Sequence, residues 1–212
     1  MNKLLQSAFT VKQGERFNPL DIFAMFNIGL FLYMCYFVYF DRFIRYRGDE
    51  FTEEFFAYAV VIISLIVFAW LKIRHIHVSG WLLVLTQMGI GAHFLGGLVH
   101  FGNERLYDLI ILGVRYDKYV HFFNAIVATL YVRRIVHSVA PRNAWLWELE
   151  TILIVLGLGA VVEIVEYMVM LSVQTNGVGS YDNNMQDMMA NLTGTSCCIL
   201  AVRLARRFKV MS

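Results

Sequence analysis

An all-α integral membrane bundle of six transmembrane helices is the fold this sequence predicts, and three observations predict it. The 212 residues are 58% hydrophobic and only 16% charged, with a mean hydropathy of +0.58, whereas soluble domains carry about a quarter charged residues. Six apolar stretches are long enough to cross roughly 30 Å of hydrocarbon as helices, which takes about 20 residues. Finally, the acids, amides and histidines that interrupt these stretches gather near one end of four of them.

The expected spans are approximately Asp21–Phe40, Phe55–Leu71, Ser79–His100, Asp117–Val136, Ala144–Leu171 and Met185–Ala205. The fourth and sixth are interrupted by Asp117, His121, Asn124, Asp187 and Asn191. They read as spans whose polar faces are hidden among neighbouring helices, because an unsatisfied polar group in hydrocarbon is costly. With two prolines and no long Gly/Ser/Pro tract, residues 1–212 read as a single membrane domain. Met1–Leu20 is mixed and polar, unlike a cleavable signal peptide. Cys35, Cys197 and Cys198 fall within apolar runs and do not suggest an exported disulfide framework. The net charge of +2 is small and the basic residues lie in no single stripe, which argues against a nucleic-acid partner. Membrane lipids are the expected surroundings.

Lys and Arg in the connections suggest an orientation. Lys3, Lys12, Arg16, Lys72, Arg74, Arg133, Arg134, Arg142, Arg203, Arg206, Arg207 and Lys209 fall on one side. The other side holds half as many: Arg42, Arg45, Arg47, Arg105, Arg115 and Lys118. The positive-inside rule then puts both termini in the cytoplasm. This topology delivers the ionisable residues of four spans to one leaflet, the outer one. His93 lies about 20 Å up the third span at 1.5 Å per residue, and His100 at its outer end. Asp117 and His121 open the fourth span, Glu163 and Glu166 approach the end of the fifth, and Asp187 and Asn191 open the sixth.

Spacing sharpens the pattern. Asp117 and His121 are four apart and Glu163 and Glu166 three apart, so each pair shares a helical face. His93 and His100 share another, with Gly96 and Gly97 between them allowing close helix approach. Asn183, Asp187 and Asn191 form a stripe that Gly194 continues. A charged side chain in hydrocarbon costs on the order of 2.5–3.5 kcal/mol even on a lenient scale. Converging charges must therefore compensate one another through hydrogen bonds, a shared proton or a bound cation. Carboxylates and imidazole on facing helices are how metal sites are built in bundle cores, and this mixed oxygen and nitrogen set suits zinc, manganese or iron better than calcium.

Tyr116-Asp117-Lys118-Tyr119-Val120-His121-Phe122-Phe123, then Glu163-Ile164-Val165-Glu166-Tyr167, then the Asp187-Met188 region resemble the YjdF-like family of uncharacterised bacterial inner-membrane proteins. The ending Asp187-x-x-x-Asn191-x-x-Gly194 is similar to the VanZ-like family. The resemblance covers roughly Ile90 to Thr195 and implies a bacterial inner-membrane location. Two positions depart from the pattern. Asn183 stands where the YjdF-like pattern has an aspartate, with Asp182 one position off, and Glu166 stands where VanZ-like proteins usually have an amide.

Three function classes fit these residues. In the first, a membrane enzyme holds a divalent metal through His121, Glu163, Glu166 and Asp187, with Asp117 among the catalytic candidates. His93 and Asn191 would touch a lipid-linked substrate. The second is a proton- or cation-coupled transporter using the same acids. The third is a bundle whose polar network only fixes helix register, with Asp117 an N-cap, His121 a satisfied buried imidazole and Asn191 interhelical glue. Two acids one turn apart at membrane depth repel unless a proton or cation lies between them, which makes Glu163 and Glu166 the hardest to assign to structure alone. The aromatic runs Phe31–Phe40 and Phe51–Phe56 read as interfacial belts and lipid-facing surface. The segment 104–112 reads as an amphipathic stretch lying on the outer surface beside the site, a lid or a plain loop.

Overall fold

The computed structural model describes residues 18–74, 78–139, 143–172 and 180–211. Lys3, Lys12, Arg16, His75, His77, Arg142 and nearly all of the Met1–Leu20 segment lie outside the described residues. In chain order the elements are α1 (Pro19–Met34), a π-helical turn (Cys35–Tyr39), α2 (Phe40–Arg47), α3 (Thr52–Ile73), α4 (Gly80–Leu98), β1 (His100–Phe101), β2 (Glu104–Arg105), β3 (Ile110–Ile111), β4 (Val114–Arg115), α5 (Tyr116–Val139), α6 (Ala144–Ser172) and α7 (Tyr181–Met211). Because the π turn joins α1 to α2 without a break, the helices form the six expected rods. Five of these rods are long and apolar enough to cross a membrane. The remaining rod, α5, has 24 residues, a span's length, and carries the polar residues that lower its hydropathy.

Burial is distributed as a bilayer demands. Asp117, Lys118, Glu163, Asn184, Asp187 and Asn191 are buried, while Leu65, Phe68, Leu158, Val161 and Ile164 are exposed. A water-soluble bundle hides its leucines and shows its acids. Here the reverse holds, because the surrounding solvent is hydrocarbon and polar groups must find partners inside the protein.

The described residues fall into two compact units, 1–83 and 84–212. In the first, α1 opens with a capping box. Asn18 Oδ1 accepts from the Asp21 N–H at 3.0 Å, and Asp21 Oδ2 accepts from the Asn18 N–H at 3.1 Å, with Pro19 at the first helical position. Asp21, 1% exposed, also accepts from Trp70 Nε1 at 2.7 Å and pairs with Arg74 at 3.4 Å, which fixes α1 against α3. At the other end, Phe40 packs edge-on and Phe43 tilted against Phe55, each with centroids 5.4 Å apart. The aromatic runs thus form helix contacts as well as an apolar groove lined by Tyr36, Phe40, Phe55 and Phe56.

In the second unit α5, α6 and α7 pack on one another, with Ala125, Val132 and Val155 at the centre of their apolar core. Gly194 lets α7 approach the backbone of α5, since a Cβ there would collide with the Phe122 carbonyl. Along the flank of α5, α4 is joined by Tyr116 Oη to the Ala92 carbonyl at 3.3 Å and by Thr86 to Tyr131 at 3.1 Å. The first and sixth rods run several residues beyond their expected ends, to Arg47 and from Tyr181 to Met211, and two further differences fall next to the site. The third span stops at Leu98, so His100 lies outside it, exposed in β1 with Nδ1 3.0 Å from the Leu98 carbonyl. The 104–112 segment is not one amphipathic stretch. Gly102 and Gly113, both at positive φ, turn the connection into two short hairpins around a 3-10 turn at Leu106–Asp108.

Candidate metal centre

The first turns of α5 and α7 and the last turns of α6 converge, and each presents its polar stripe inward. On α5, Asp117 and His121 are one turn apart. Opposite them on α7 lies Asp187, and α6 supplies Glu163. One ligand atom each from His121, Glu163 and Asp187 lies within 4.8 Å of the others. His121 Nδ1 is 3.6 Å from Glu163 Oε1, and His121 Nε2 is 3.5 Å from Asp187 Oδ1. Neighbouring ligands around an ion with bonds near 2.0–2.2 Å lie about 3–3.5 Å apart; an ion takes one ring nitrogen only, so one of these two gaps has the length of a coordination edge and the third ligand would have to close in from within 4.8 Å.

The two carboxylates are held differently. Asp187, 1% exposed, has both oxygens engaged: Oδ1 accepts from Lys118 Nζ at 2.8 Å and Oδ2 from Asn183 Nδ2 at 2.8 Å. Glu163, 4% exposed, has neither oxygen hydrogen-bonded among the described residues. Only its backbone is fixed, the carbonyl accepting from Asn184 Nδ2 at 2.9 Å. A buried carboxylate without a donor is rare, because nearly all buried polar groups are satisfied.

Lys118 is the charge that sequence reading counted as a loop cation. It is buried, and Nζ donates to Asp117 at 3.1 Å, to the Asn183 carbonyl at 3.2 Å and to Asn183 Oδ1 at 2.9 Å as well as to Asp187. Asn183 Oδ1 also accepts from Arg115 at 2.9 Å, and Arg115 reaches Asp108 at 2.6 Å. The helical stripe Asn183–Asp187–Asn191–Gly194 therefore faces α5 along its whole length. The available signals for Lys118 were its place beside Asp117 and its spacing of three from His121. Asn184, buried against Glu163, had no signal beyond its neighbour Asn183.

The other candidates surround this centre. Asn191 is buried, its side chain reaches the His121 ring, and its Nδ2 is where a Cβ on Gly159 would stand 2.8 Å away. Glu166 is half-buried and within coulombic range of Asp187, Lys118, Asp117 and Glu163. His93 lies within coulombic range of His121, but its ring is held by the connection: Nδ1 hydrogen-bonds Tyr107 Oη, with ring centroids 5.4 Å apart. Gly96 leaves the space for that phenol ring. His121, Glu163 and Asp187 thus form the centre, Asp117 joins it through Lys118, and Glu166, His93 and Asn191 flank it. Asp182 is exposed and takes no part.

In the connection between α4 and α5, outside the spanning helices, Asp108 accepts from Arg105 Nε at 2.8 Å and from Arg115 at 2.6 Å. The hydrogen bond from Arg105, together with the charges of both guanidinium groups, holds its carboxyl below the usual carboxylate range against the opposing effect of burial.

No curated protein and no solved structure matches this chain. The profile of the family described as predicted membrane protein (DUF2238) matches residues 22–208. The chain belongs to that family and is a multi-pass membrane protein; the match takes in the first two spans as well as the segment from Ile90 to Thr195.

Proposed function

We propose that the protein is a metal-dependent hydrolase or transferase acting on a lipid-linked phosphate or ester at the outer leaflet of a bacterial inner membrane. His121 and Glu163 are the primary ligands in this reading, and Asp187, steadied by Lys118 and Asn183, completes the set. The carrying observation is Glu163, a buried carboxylate whose two oxygens accept no hydrogen bond among the described residues while imidazole and aspartate stand within 4.8 Å. A network serving only to fix helix register would satisfy its members, as this one satisfies Asp187. Four carboxyl groups, Asp117, Glu163, Glu166 and Asp187, also gather near two cations, the buried Lys118 ammonium and Arg115, which reaches Asp117 at 3.7 Å; with all four ionised, the two remaining negative charges are what a divalent cation would balance.

A bound zinc, manganese or iron would polarise a phosphoryl or acyl oxygen and acidify water. Glu166, half-buried beside the triad and outside it, would serve as the proton acceptor and donor next to a bound ion. The twofold bias of Lys and Arg supports placing both termini in the cytoplasm and the centre at outer headgroup height, where a lipid-linked substrate would present its polar end. A transport role finds less support, since the opposite end of the bundle holds the Arg203–Glu148 pair and no continuing line of acids among the described residues.

Elemental analysis of the detergent-purified chain beside Glu163→Gln tests this reading. Near-stoichiometric zinc, manganese or iron that is lost in a normally folded variant is expected. Absence of metal from folded protein, even after incubation with each ion and gel filtration, would overturn it.

A further inference from the structure

The connection between α4 and α5 carries a feature that the metal centre does not use. β3 and β4 form a hairpin in which Ile110 pairs with Arg115 and Ile111 with Val114. Leu112 and Gly113 make its two-residue turn with φ of +51° and +81°, the arrangement of a type I′ turn. Gly takes this backbone freely, and Asn or Asp tolerates it, but a leucine does so at a cost. Yet the tip residue is Leu112, 93% exposed, and its neighbours Ile110 and Val114 are 68% and 43% exposed. From Ile110 to Val114 there is no polar side chain.

We infer that this hairpin is a finger inserted into the adjacent lipid leaflet, with Ile110, Leu112 and Val114 seated at the headgroup–acyl boundary. Three observations favour lipid over a protein partner. The finger is short: Leu112 lies four residues before Tyr116, so its Cα can stand no more than about 14 Å from the start of α5. It is also tied sideways. Tyr119, one turn into α5 and itself exposed, donates its hydroxyl to the Ile111 carbonyl at 2.8 Å, and the Tyr116 N–H bonds the Leu109 carbonyl at 2.9 Å. The apolar tip therefore continues the lipid-facing flank of a spanning helix rather than rising into water. A few side chains are also far less than the roughly 800 Å² per partner that a stable protein interface buries. An unfavourable backbone retained to present an apolar tip is accounted for when that tip meets hydrocarbon.

The inference does not depend on metal at the centre. It is tested in proteoliposomes of phosphatidylcholine and phosphatidylglycerol, using the full chain with Cys35, Cys197 and Cys198 replaced by Ala. A nitroxide is attached at Leu112→Cys, at Val114→Cys, and at Asn103→Cys as a reference in the exposed turn of the other hairpin. The ratio of oxygen to nickel-chelate accessibility is expected to be several-fold higher at positions 112 and 114 than at 103. Ratios equal to that at 103 would place the finger in water and overturn the inference. Low accessibility to both reagents would mean a protein contact, such as a second copy of the chain, and would overturn it too.

Discussion

Lys118 Nζ stands 2.8 Å from Asp187 Oδ1, and both side chains are almost wholly enclosed. Neither charge has water to fall back on, so each depends on the other. Lys118→Met should destabilise the protein by about 3–5 kcal/mol, the usual result of leaving a buried charge unpaired. Asp187→Asn keeps an oxygen for Lys118 and should cost less. Unfolding in mixed micelles titrated with sodium dodecyl sulfate gives the comparison. If Lys118→Met unfolds at the parent's midpoint, the ammonium is not what holds α5 to α7.

Helix approach in the same region can be tested through glycines. A Cβ on Gly194 would meet the Phe122 carbonyl group and Ala125, the latter at 3.2 Å, and backbone cannot move aside cheaply. Gly194→Ala should therefore lose about 1–3 kcal/mol through overpacking. Gly157 has nothing within 4 Å of the corresponding position. There, alanine should be neutral or gain up to about 1 kcal/mol from helix propensity. The pair of midpoints from one unfolding series decides both.

In the first unit, Trp70→Phe removes the indole donor from Asp21, which is 1% exposed. The expected loss is about 1–3 kcal/mol, with metal content unchanged because the triad lies on other helices. Unfolding and elemental analysis of the same preparation check the two halves of this statement. A variant that loses metal along with stability would contradict it.

The Asp108 clasp predicts a dependence on pH. Its carboxyl titrates below the ordinary carboxylate range in the folded chain, so the folded state favours the ionised form. The stabilisation is complete above the pKa of the unfolded group and disappears as the pH falls through the folded one. Asp108→Asn should unfold earlier than the parent near neutrality, and the two should converge in acid. Equal midpoints at neutral pH would show that the arginines find other partners. The loss should be modest, because these groups are partly exposed and screened.

Much of the centre was legible from spacing alone. Asp117 with His121 and Asp187 with Asn191 lie on single helical faces, and a membrane helix can only turn such faces inward, so their convergence followed from the cost of the alternative. Lys118 was harder to read because it stands next to Asp117, at the end of a span where cations ordinarily reach water. Its burial depends on Asn183 and Asp187 arriving from α7, a tertiary fact with no local signature. The 99–115 connection was missed for a related reason. Its hairpins are two residues per strand, too short for any alternation to register, and the reading as one amphipathic stretch passed over the turn that Gly113 introduces.

The length of α7 has a bearing on where the centre sits. At 31 residues it is about 46 Å long, against roughly 30 Å of hydrocarbon. It begins beside the Asp187 cluster, so with that cluster near one membrane face its surplus turns would overhang the other, at the end where the sequence places Arg203, Arg206, Arg207 and Lys209. Cations at that end resist being drawn into hydrocarbon. A basic overhang of that kind would act as a depth gauge, resisting sliding of the bundle and so keeping the polar cluster at the far end at a constant height in the bilayer.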